Sequence, residues 1–314
     1  MNPAAGGGRA LRAHRAVAEA LRARGWRVNI AISQSLAHAT GLAAAVPTCG
    51  VVAALGGDGF IGAVAGGVRR GGAILIPLPG GRGNDLIRHL GWPRRPVSAA
   101  ACVPGPRTLV SRRIDVGWVG DRAFLGVASV GLDAMTNDIA NRTTAVRGRL
   151  VYGYAATRAI AYCRPGTFTV RLDDAPLREV RAWLIAIGNS SRYGGGLRIC
   201  PTADLSDGWL DLVVIGPVPR VQFPWMFARI ARGRHLKGGP HTHELARRIH
   251  VHAAPGSATY RGVFADGERI GTLPVSVTVE SGALRVALPE TPPPGDAAQR
   301  TMAARVLRAW GVSR

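Results

Sequence analysis

Short apolar runs alternate with helical patterns through the first third of the chain. Residues 51–55 form an apolar run of strand length, and the segment 61–70 that follows has helical character. A second apolar run at 73–77 leads to a helical pattern at 86–90. The same reasoning predicts helices over 9–24 and 35–45 and a strand over 26–32. This alternation predicts an α/β domain with a mainly parallel sheet.

Strand-like runs bounded by Gly, Pro, Asp or Asn dominate the chain from residue 108 onward. They predict a second domain that is largely antiparallel. The predicted strands cover 108–116, 123–130, 167–172, 181–187, 210–215, 248–252 and 275–280, with helical segments at 150–162 and 222–234. We therefore expect domains at 1–107 and 108–295. After a proline-rich linker, a helix within 296–314 is expected to pack back on the first domain.

The segment 222–234 mixes aromatic and apolar residues with Arg229, Arg232 and Arg234. Such a helix either lies on a membrane as a basic amphipathic helix or packs on the sheet with its arginines in solvent. We favour packing on the sheet.

The net charge favours anionic partners. The chain has 314 residues and a formal net charge of +21, carried by arginine because Lys237 is the only lysine. Candidate partners are nucleic acid, an anionic membrane surface and nucleotide phosphates. No basic run interleaves with aromatic residues, so we expect a membrane surface and no nucleic acid. No apolar run is long enough to cross a bilayer and no signal-peptide pattern is found, which predicts a cytoplasmic protein.

Cysteine and histidine spacing does not favour a zinc site. No Cys-x-x-Cys pair occurs, so we expect buried, reduced thiols. His241 and His243, like His250 and His252, alternate as neighbours on one strand face do. No cysteine or carboxylate cluster accompanies them at a suitable spacing, so we expect no metal there.

Three glycine-rich segments follow predicted strands, at 2–8, 56–60 and 79–85. Turns at this edge of a parallel sheet can bind ligands, and glycines let a phosphate approach backbone N–H groups at a helix N-terminus. None has the P-loop or dinucleotide-binding spacing, and no lysine lies near them. Each could be a tight connection, but their convergence favours a phosphate site. Because 2–8 opens the chain, either the first strand is very short or the assigned start lies slightly late.

Acidic and glycine motifs continue through the second half. They are Gly131-Leu132-Asp133-Ala134, Asn189 with Gly194-Gly195-Gly196, Asp207-Gly208-x-Leu210-Asp211 and Asp266-Gly267-Glu268. With the opening Asn-Pro loop, Gly56-Gly57-Asp58-Gly59 and the Pro-Gly-x-x-Gly-Asn-Asp loop, this set resembles the diacylglycerol kinase catalytic-domain family, in its soluble bacterial lipid kinase branch. The resemblance covers nearly the whole chain.

The resemblance implies a fold and an activity. The fold is an α/β nucleotide-binding domain related to those of NAD kinase and 6-phosphofructokinase, with a β-sandwich-like second domain and the active site in the cleft between them. The activity is transfer of the ATP γ-phosphoryl group to a lipid hydroxyl, most often that of diacylglycerol, in phospholipid metabolism. Trp118, Trp183, Trp209 and Trp225 could then line an acyl-chain groove, although aromatic residues in strands more often fill a core.

The resemblance also implies the site residues. It assigns nucleotide contacts to Asn2, Gly6, Gly8, Ser33, Gly56, Gly57, Asp58, Gly59, Phe60, Arg82, Gly83, Asn84 and Asp85, with Asp58 near the phosphates and their Mg²⁺. Asp266 and Glu268 fall on the acidic pair that supplies the base; one takes the lipid hydroxyl proton and the other orients it or binds metal. A structural Mg²⁺ is implied in the turn 204–209, at the Asp207 carboxylate and the carbonyls of Asp204 and Trp209.

Three hydroxyl-bearing residues of the family's loops are replaced in this chain. Phe60 and Arg82 stand where threonine is usual, and Ala5 stands where serine is usual. Each lost hydrogen bond is worth about 0.5–1.5 kcal/mol, so the replacements weaken ATP binding unless Arg82 supplies a compensating charge. The backbone amides and the acidic pair remain, so we expect a divergent but active kinase.

Two other functions stay open from the sequence. One is a catalytically degenerate lipid- or nucleotide-binding regulator with the same fold. The other is an NAD kinase, which the acids at 207–211 and 266–268 disfavour. For the leading hypothesis we expect ATP and Mg²⁺ as cofactors, a lipid substrate at an anionic membrane surface, and peripheral association with the inner membrane surface. Neither the lipid nor the choice between monomer and homodimer follows from the sequence.

Overall fold

The computed structural model describes residues 1–143 and 150–290. The helices are α1 (Ala5–Ala23), α2 (Leu36–Ala44), α3 (Asp58–Gly71), α4 (Asp85–His89), α5 (Pro96–Ala101), α6 (Leu132–Arg142), α7 (Leu150–Tyr162) and α8 (Phe223–Ala231). The strands are β1 (Val51–Gly56), β2 (Ile74–Pro79), β3 (Ser111–Val119), β4 (Arg122–Phe124), β5 (Val127–Gly131), β6 (Gly166–Leu172), β7 (Arg178–Ala182), β8 (Leu184–Gly188), β9 (Leu210–Ile215), β10 (His241–Ala246), β11 (Arg248–Ala253), β12 (Gly262–Ala265), β13 (Glu268–Thr272) and β14 (Val275–Ala287). The linker at 291–295 and the helix predicted within 296–314 lie outside the described residues.

The first sheet begins with parallel strands and continues with antiparallel ones. β1 pairs with β2 in parallel, and β2 pairs in parallel with the end of β14. From β14 the sheet continues through β11, β6 and β7, and β3 with β4 also pairs on β14, all antiparallel. β14 pairs with strands of both the parallel and the antiparallel region, and its register with β3 shifts between Glu280 and Leu284.

The second sheet is antiparallel throughout, in the order β10-β9-β8-β5-β12-β13. Buried side chains from both sheets fill the space between them, including Phe168 and Val251 from the first sheet and Ile185 and Leu212 from the second. The predicted fold class, an α/β domain with a largely antiparallel, sandwich-like β domain, is therefore confirmed.

Two helices cover the outer face of the second sheet. The C-terminal half of α7 and the inner face of α8 pack there through Ile160, Phe223 and Ile230. Trp183 lies beneath them and contacts Phe223 edge to face, with ring centroids 5.0 Å apart. Helix α8 thus packs on the sheet, as the sequence favoured.

Two local expectations were wrong. Residues 26–32 form no strand, because none of the described strands pairs with them; their backbone contacts include the Met1 amino group, which donates to the Ala31 carbonyl, and the Met1 carbonyl, which accepts from the Ser33 N–H. A ladder needs a longer partner than this. Cys49 is exposed, in a turn before β1, whereas Cys163 and Cys200 are buried.

Candidate active site

The three glycine-rich loops meet backbone to backbone at the carboxyl ends of β1 and β2. A Cβ on Gly6 would lie 2.3 Å from the Gly80 carbonyl oxygen, and a Cβ on Gly81 would lie 2.4 Å from the Gly57 Cα. The Gly80 N–H donates to the Gly56 carbonyl over 2.7 Å. Side chains at these positions would force the loops apart, so glycine is required by close approach.

The first loop has a left-handed backbone. The glycines at 6–8 have φ of 61°, 68° and 81°, so regular right-handed helix begins only after them. Asn2 anchors the loop to β1 by donating its N–H to the Leu55 carbonyl over 3.1 Å. Ser33 is buried beside this loop, and its hydroxyl donates to the Met1 carbonyl over 3.1 Å. Asn2, Gly6, Gly8 and Ser33 therefore share one region.

The third loop closes on itself through Asn84. The buried Asn84 side chain accepts from the Gly81 N–H over 2.9 Å and donates to the Gly81 carbonyl over 3.1 Å. Arg82 projects from this loop as an exposed side chain. A Cβ on Gly83 would lie 2.9 Å from Asp58 Oδ2 and 3.2 Å from Asp85 Oδ2. The loop therefore brings together the acids predicted at 58 and 85.

Phe60 fills the core next to this site. Its side chain is only 5% exposed and belongs to the core cluster of the first domain. A Cβ on Gly56 would collide with the ring at 2.2 Å from Cδ1, so the ring lies directly against the Gly56 backbone. Phe60 therefore packs in the core and offers no hydroxyl group to the loops.

Asp58, Asp85 and Asp266 repel one another. Burial, and then the charges of Asp85 and Asp266, raise the pKa of Asp58 to about 8. Burial also raises the pKa of Asp85, against the N–H of Gly195 and the charge of Arg88. Near neutral pH the cluster therefore holds a proton or needs a cation.

The predicted base, Asp266, is held by backbone amides. Its Oδ2 accepts from the N–H of Leu125 over 2.9 Å, and its Oδ1 accepts from Gly126 over 2.9 Å and Val127 over 3.2 Å. Burial raises the Asp266 pKa to about 6 although these bonds favour the carboxylate. A carboxyl group with this pKa is largely ionised at neutral pH and is still a usable base.

The acidic pair faces the N-terminal turns of α3. A Cβ on Gly59 would lie 2.5 Å from Glu268 Cγ, and a Cβ on Gly62 would lie 3.5 Å from Asp266 Oδ2. Partial burial raises the pKa of Glu268, and the charge of Arg122 opposes this. The structure thus brings the predicted nucleotide loop at 56–60 against the predicted catalytic pair, across the boundary between the two domains.

The predicted metal turn at 204–209 uses its carboxylates locally. Asp204 Oδ1 accepts from the Ser206 N–H and hydroxyl at 2.9 and 2.8 Å, and Asp207 Oδ1 accepts from the Trp209 N–H at 2.9 Å. Within residues 1–143 and 150–290, no three His, Cys, Asp or Glu side chains form a group that could hold a metal ion. Mg²⁺ in this turn stays a prediction.

A buried hydrogen-bond chain that the motifs did not identify as part of the site connects this turn to the base. Asp115 Oδ2 accepts from the Gly208 N–H over 2.7 Å, and the Asp115 carbonyl accepts from Asn189 Nδ2 over 3.0 Å. Asn189 Nδ2 also approaches the Leu125 carbonyl at 3.4 Å. The N–H of the same Leu125 donates to Asp266. An acid inside the apolar run 114–116 was the available sequence signal for Asp115.

A second contact between the domains was also missed. Asp85 Oδ2 accepts from the Gly195 N–H over 2.8 Å, and the Arg88 guanidinium donates to the Gly195 carbonyl. Arg88 also lies 3.6 Å from Asp85 Oδ1 as an ion pair. The glycine-rich loop at 194–196 therefore fixes Asp85 from the opposite domain. The glycine motif at 194–196 and the spacing of three residues between Asp85 and Arg88 on a helix were the available sequence signals.

Helices α6 and α7 border an open, mainly apolar groove of about 430 Å³. Its lining residues are Met135, Ile139, Arg142, Thr143, Arg158 and Tyr162. Helix α6 also touches the catalytic turn, since Asn141 Nδ2 donates to the Gly267 carbonyl over 3.0 Å. Helix α6 thus contacts both the groove and the turn that follows Asp266. Within the described part of the chain, no helix is both long and apolar enough to cross a membrane.

Two family models match the chain and together span most of it. The diacylglycerol kinase catalytic domain matches residues 1–119. The YegS C-terminal NAD kinase beta sandwich-like domain matches residues 126–288. The junction between the two matches falls in the β3–β5 region, next to the amides that bind Asp266.

Individual relatives agree with these matches. A diacylglycerol kinase of Mycobacterium tuberculosis (strain ATCC 25618 / H37Rv) is 32% identical over 296 residues, 92% of this chain and 93% of that protein. A diacylglycerol kinase of Bacillus subtilis (strain 168) is 28% identical over 71% of this chain and 73% of its own. A crystal structure of a diacylglycerol kinase from Bacillus anthracis str. Sterne has a TM-score of 0.71 at 22% identity, covering 91% of this chain and 94% of that one.

Proposed function

Because this chain belongs to the diacylglycerol kinase catalytic-domain family, a family of lipid kinases, we propose that it transfers the γ-phosphoryl group of ATP to the hydroxyl of diacylglycerol. One observation carries the proposal: Gly59 and Gly62 at the start of α3 lie against Glu268 and Asp266. A phosphate at that helix N-terminus would lie beside a carboxylate able to accept a proton. Phosphoryl transfer needs this positioning more than it needs covalent chemistry.

The converging loops supply the phosphate site. The first N–H groups of α3 have no acceptor within the helix, and the helix dipole favours negative charge at this end. Gly7 has open space around its Cα, and exposed Arg82 adds a positive charge at the rim. These features compensate for the hydroxyls that the loops lack.

The acids at 58 and 85 suit Mg²⁺, which takes one or two carboxylates together with phosphate oxygens. Among the described residues, the buried Asp85 Oδ1 has no hydrogen-bond partner, and its ion pair with Arg88 is long at 3.6 Å. The raised pKa values of Asp58 and Asp85 reflect carboxylates that a cation would stabilise in the charged form. When bound, the ion would neutralise charge on the phosphates. Asp58 and Asp85 are the residues that would hold it.

Asp266 would act as the base. The lipid hydroxyl proton passes to Asp266, the hydroxyl oxygen bonds to the γ-phosphorus, and the bond from that phosphorus to the β-γ bridging oxygen breaks to release ADP. The three amide donors keep the Asp266 carboxylate fixed, and Glu268 would orient the incoming hydroxyl. The apolar groove between α6 and α7 is suited to an acyl chain, because its lining carries methionine, isoleucine and tyrosine.

The test is transfer of label from [γ-³²P]ATP to diacylglycerol in mixed micelles with Mg²⁺. We expect phosphatidic acid and ADP in equal amounts. Asp266→Asn and Glu268→Gln should lower kcat, the former by about 10²–10⁴, as loss of a general base does. Asp174→Asn, an exposed acid in the β6–β7 turn, is the matched control. Wild-type turnover in both site variants, with folding verified by thermal unfolding, would eliminate the proposed base.

A non-catalytic regulator is the second candidate, because Phe60, Arg82 and Ala5 remove three phosphate-binding hydroxyls at once. Thermal unfolding separates the candidates. Stabilisation by Mg²⁺-ATP supports the kinase, whereas stabilisation by lipid with none from Mg²⁺-ATP supports the regulator.

A further inference from the structure

The helices over the second sheet present apolar side chains to solvent. Tyr162 at the end of α7 is 66% exposed, Val221 in the 3₁₀ turn before α8 is 86% exposed, and Trp225 in α8 is 59% exposed. Single exposed apolar residues are ordinary, but three on adjoining elements indicate an interaction surface.

Arg220 holds these elements side by side. Its Nε donates to the Ile160 carbonyl over 2.8 Å, and its Nη2 donates to the Cys163 carbonyl over 2.9 Å. The guanidinium also stacks on Trp183, with its carbon 5.4 Å from the ring centroid. The end of α7 and the start of α8 therefore form one rigid surface over a shared core.

The same surface is strongly basic. Segments 139–172 and 212–243 contain no aspartate or glutamate. Arg158 on α7 and Arg232 and Arg234 after α8 are exposed within these segments. Arg158, Arg232 and Arg234 form no ion pair among the described residues. A surface that combines exposed apolar side chains with such arginines complements an anionic lipid bilayer, where apolar groups enter the headgroup region and arginines meet phosphates. Nucleic acid would use the charge but leave the apolar side chains in water.

Aromatic rings and guanidinium groups are already stacked on this surface. Arg229 lies over Trp225, with its guanidinium carbon 4.5 Å from the ring centroid. Arg158 lies 5.8 Å from the Tyr154 centroid and 5.5 Å from the Tyr162 centroid. Side chains with an apolar body and a polar tip favour the interface between lipid and water. Stacking orders them in advance, so less side-chain entropy is lost on docking.

We propose that the protein docks on anionic bilayers through a docking face made of Tyr162, Val221, Trp225, Arg158, Arg232 and Arg234. Arg158 and Tyr162 also line the apolar groove, so this face adjoins the groove mouth. Docking would let a diacylglycerol molecule pass from the bilayer into the groove without crossing water. This inference deepens the proposed kinase function and rests on it for the identity of the lipid.

Co-sedimentation with vesicles tests the docking face. The full chain should bind phosphatidylcholine vesicles that contain phosphatidylglycerol and bind pure phosphatidylcholine vesicles far less. Arg232→Glu with Arg234→Glu should lower the partition coefficient by roughly 25-fold or more, because each cation near an anionic surface accounts for about fivefold. Val221→Ser with Trp225→Ser should lower it by about tenfold from lost apolar contact.

Matched controls lie elsewhere on the surface. Leu177→Ser removes an equally exposed apolar side chain in the β6–β7 turn, and Arg107→Glu reverses an exposed arginine ahead of β3. Neither should change vesicle binding. Equal vesicle binding by docking-face and control variants would overturn the proposal. So would a wild-type dimer that the docking-face variants convert to monomer, because a second copy would then cover the face.

Activity on a short-chain, water-soluble diacylglycerol distinguishes this inference from the proposed function. Docking-face variants should keep wild-type turnover on that substrate while losing it on vesicles. If the docking-face variants lose vesicle binding while the wild-type protein phosphorylates no lipid, the result would support docking and refute the kinase function. Unchanged turnover by these variants on vesicles would refute docking alone.

Discussion

Replacing Phe60 with threonine would introduce the hydroxyl that the family resemblance leads us to expect at this position. We expect Phe60→Thr to destabilise the protein without improving ATP affinity. The reason is the direction of the side chain: the ring packs into the first core against the Gly56 backbone. A threonine there would bury its hydroxyl among apolar groups.

The magnitude follows from burial. Complete burial of a phenylalanine side chain is worth about 1.5–3 kcal/mol, and the cavity left by its removal raises the loss on truncation to alanine to about 3–5 kcal/mol. Threonine refills part of the volume but buries a hydroxyl, which costs about 1–3 kcal/mol if unpaired. We therefore expect the free energy of unfolding to fall by about 3–4 kcal/mol, or roughly 5 °C in Tm for a chain of this length.

Thermal unfolding by circular dichroism measures the loss, and calorimetric titration with Mg²⁺-ATP measures the affinity. Phe60→Leu is the control: it keeps an apolar side chain and should cost less than about 1.5 kcal/mol. A Phe60→Thr protein that is as stable as the wild type and binds ATP more tightly would refute the reasoning. It would show that residue 60 faces the phosphates.

Three further predictions concern the acids and the glycines. The Asp58 pKa is about 8 in the folded protein, against an ordinary value of 3.8. Between these values the folded state binds more protons than the unfolded state, so the free energy of unfolding falls as pH rises from 4 to 8. Asp58→Asn should flatten this fall in thermal unfolding between pH 5 and 8, and an unchanged slope would contradict the prediction. Gly6→Ala should weaken Mg²⁺-ATP binding in calorimetry by at least about tenfold, since its Cβ would meet the Gly80 carbonyl. Gly7→Ala is the control, because it introduces the same left-handed backbone strain but places its Cβ in open space. Equal affinities of the two variants would show that the convergence of the loops does not matter for ATP binding. Asp115→Asn should cost about 2–4 kcal/mol in urea unfolding, because its amide nitrogen would face a backbone N–H donor, and wild-type stability would disprove this.

The sequence predicted elements best where one physical signal dominated. The apolar run 210–215 became strand β9 with those bounds, and the helical segment 150–162 became α7. The alternating pattern at 26–32 failed because a strand exists only when a neighbour pairs with it, and pairing depends on distant residues. The predicted strands did not include 241–246, although His241 and His243 alternate as neighbours on one strand face do.

The candidate site divides in the same way. Local motifs predicted the loops and the Asp266 pair as candidate site residues, since glycine and acid at fixed spacing leave a signature in the sequence, and the structure brings them together. Asn189 belongs to one of the sequence motifs, but its hydrogen-bond partners, like those of Asp115 and Arg88, lie far away in the chain, and no local pattern encodes such partners. Their roles became visible only when the second domain was placed against the first.

Strand β14 has a consequence for how the protein is made. The edge of β2 pairs with residues 285 and 286 of β14, which the ribosome synthesises some two hundred residues after β2. Until then the nascent first domain exposes an apolar strand edge, the kind of surface that promotes misassembly and recruits chaperones. Completion of the first sheet is therefore a late event, and truncation before residue 285 should leave this edge of β2 unpaired.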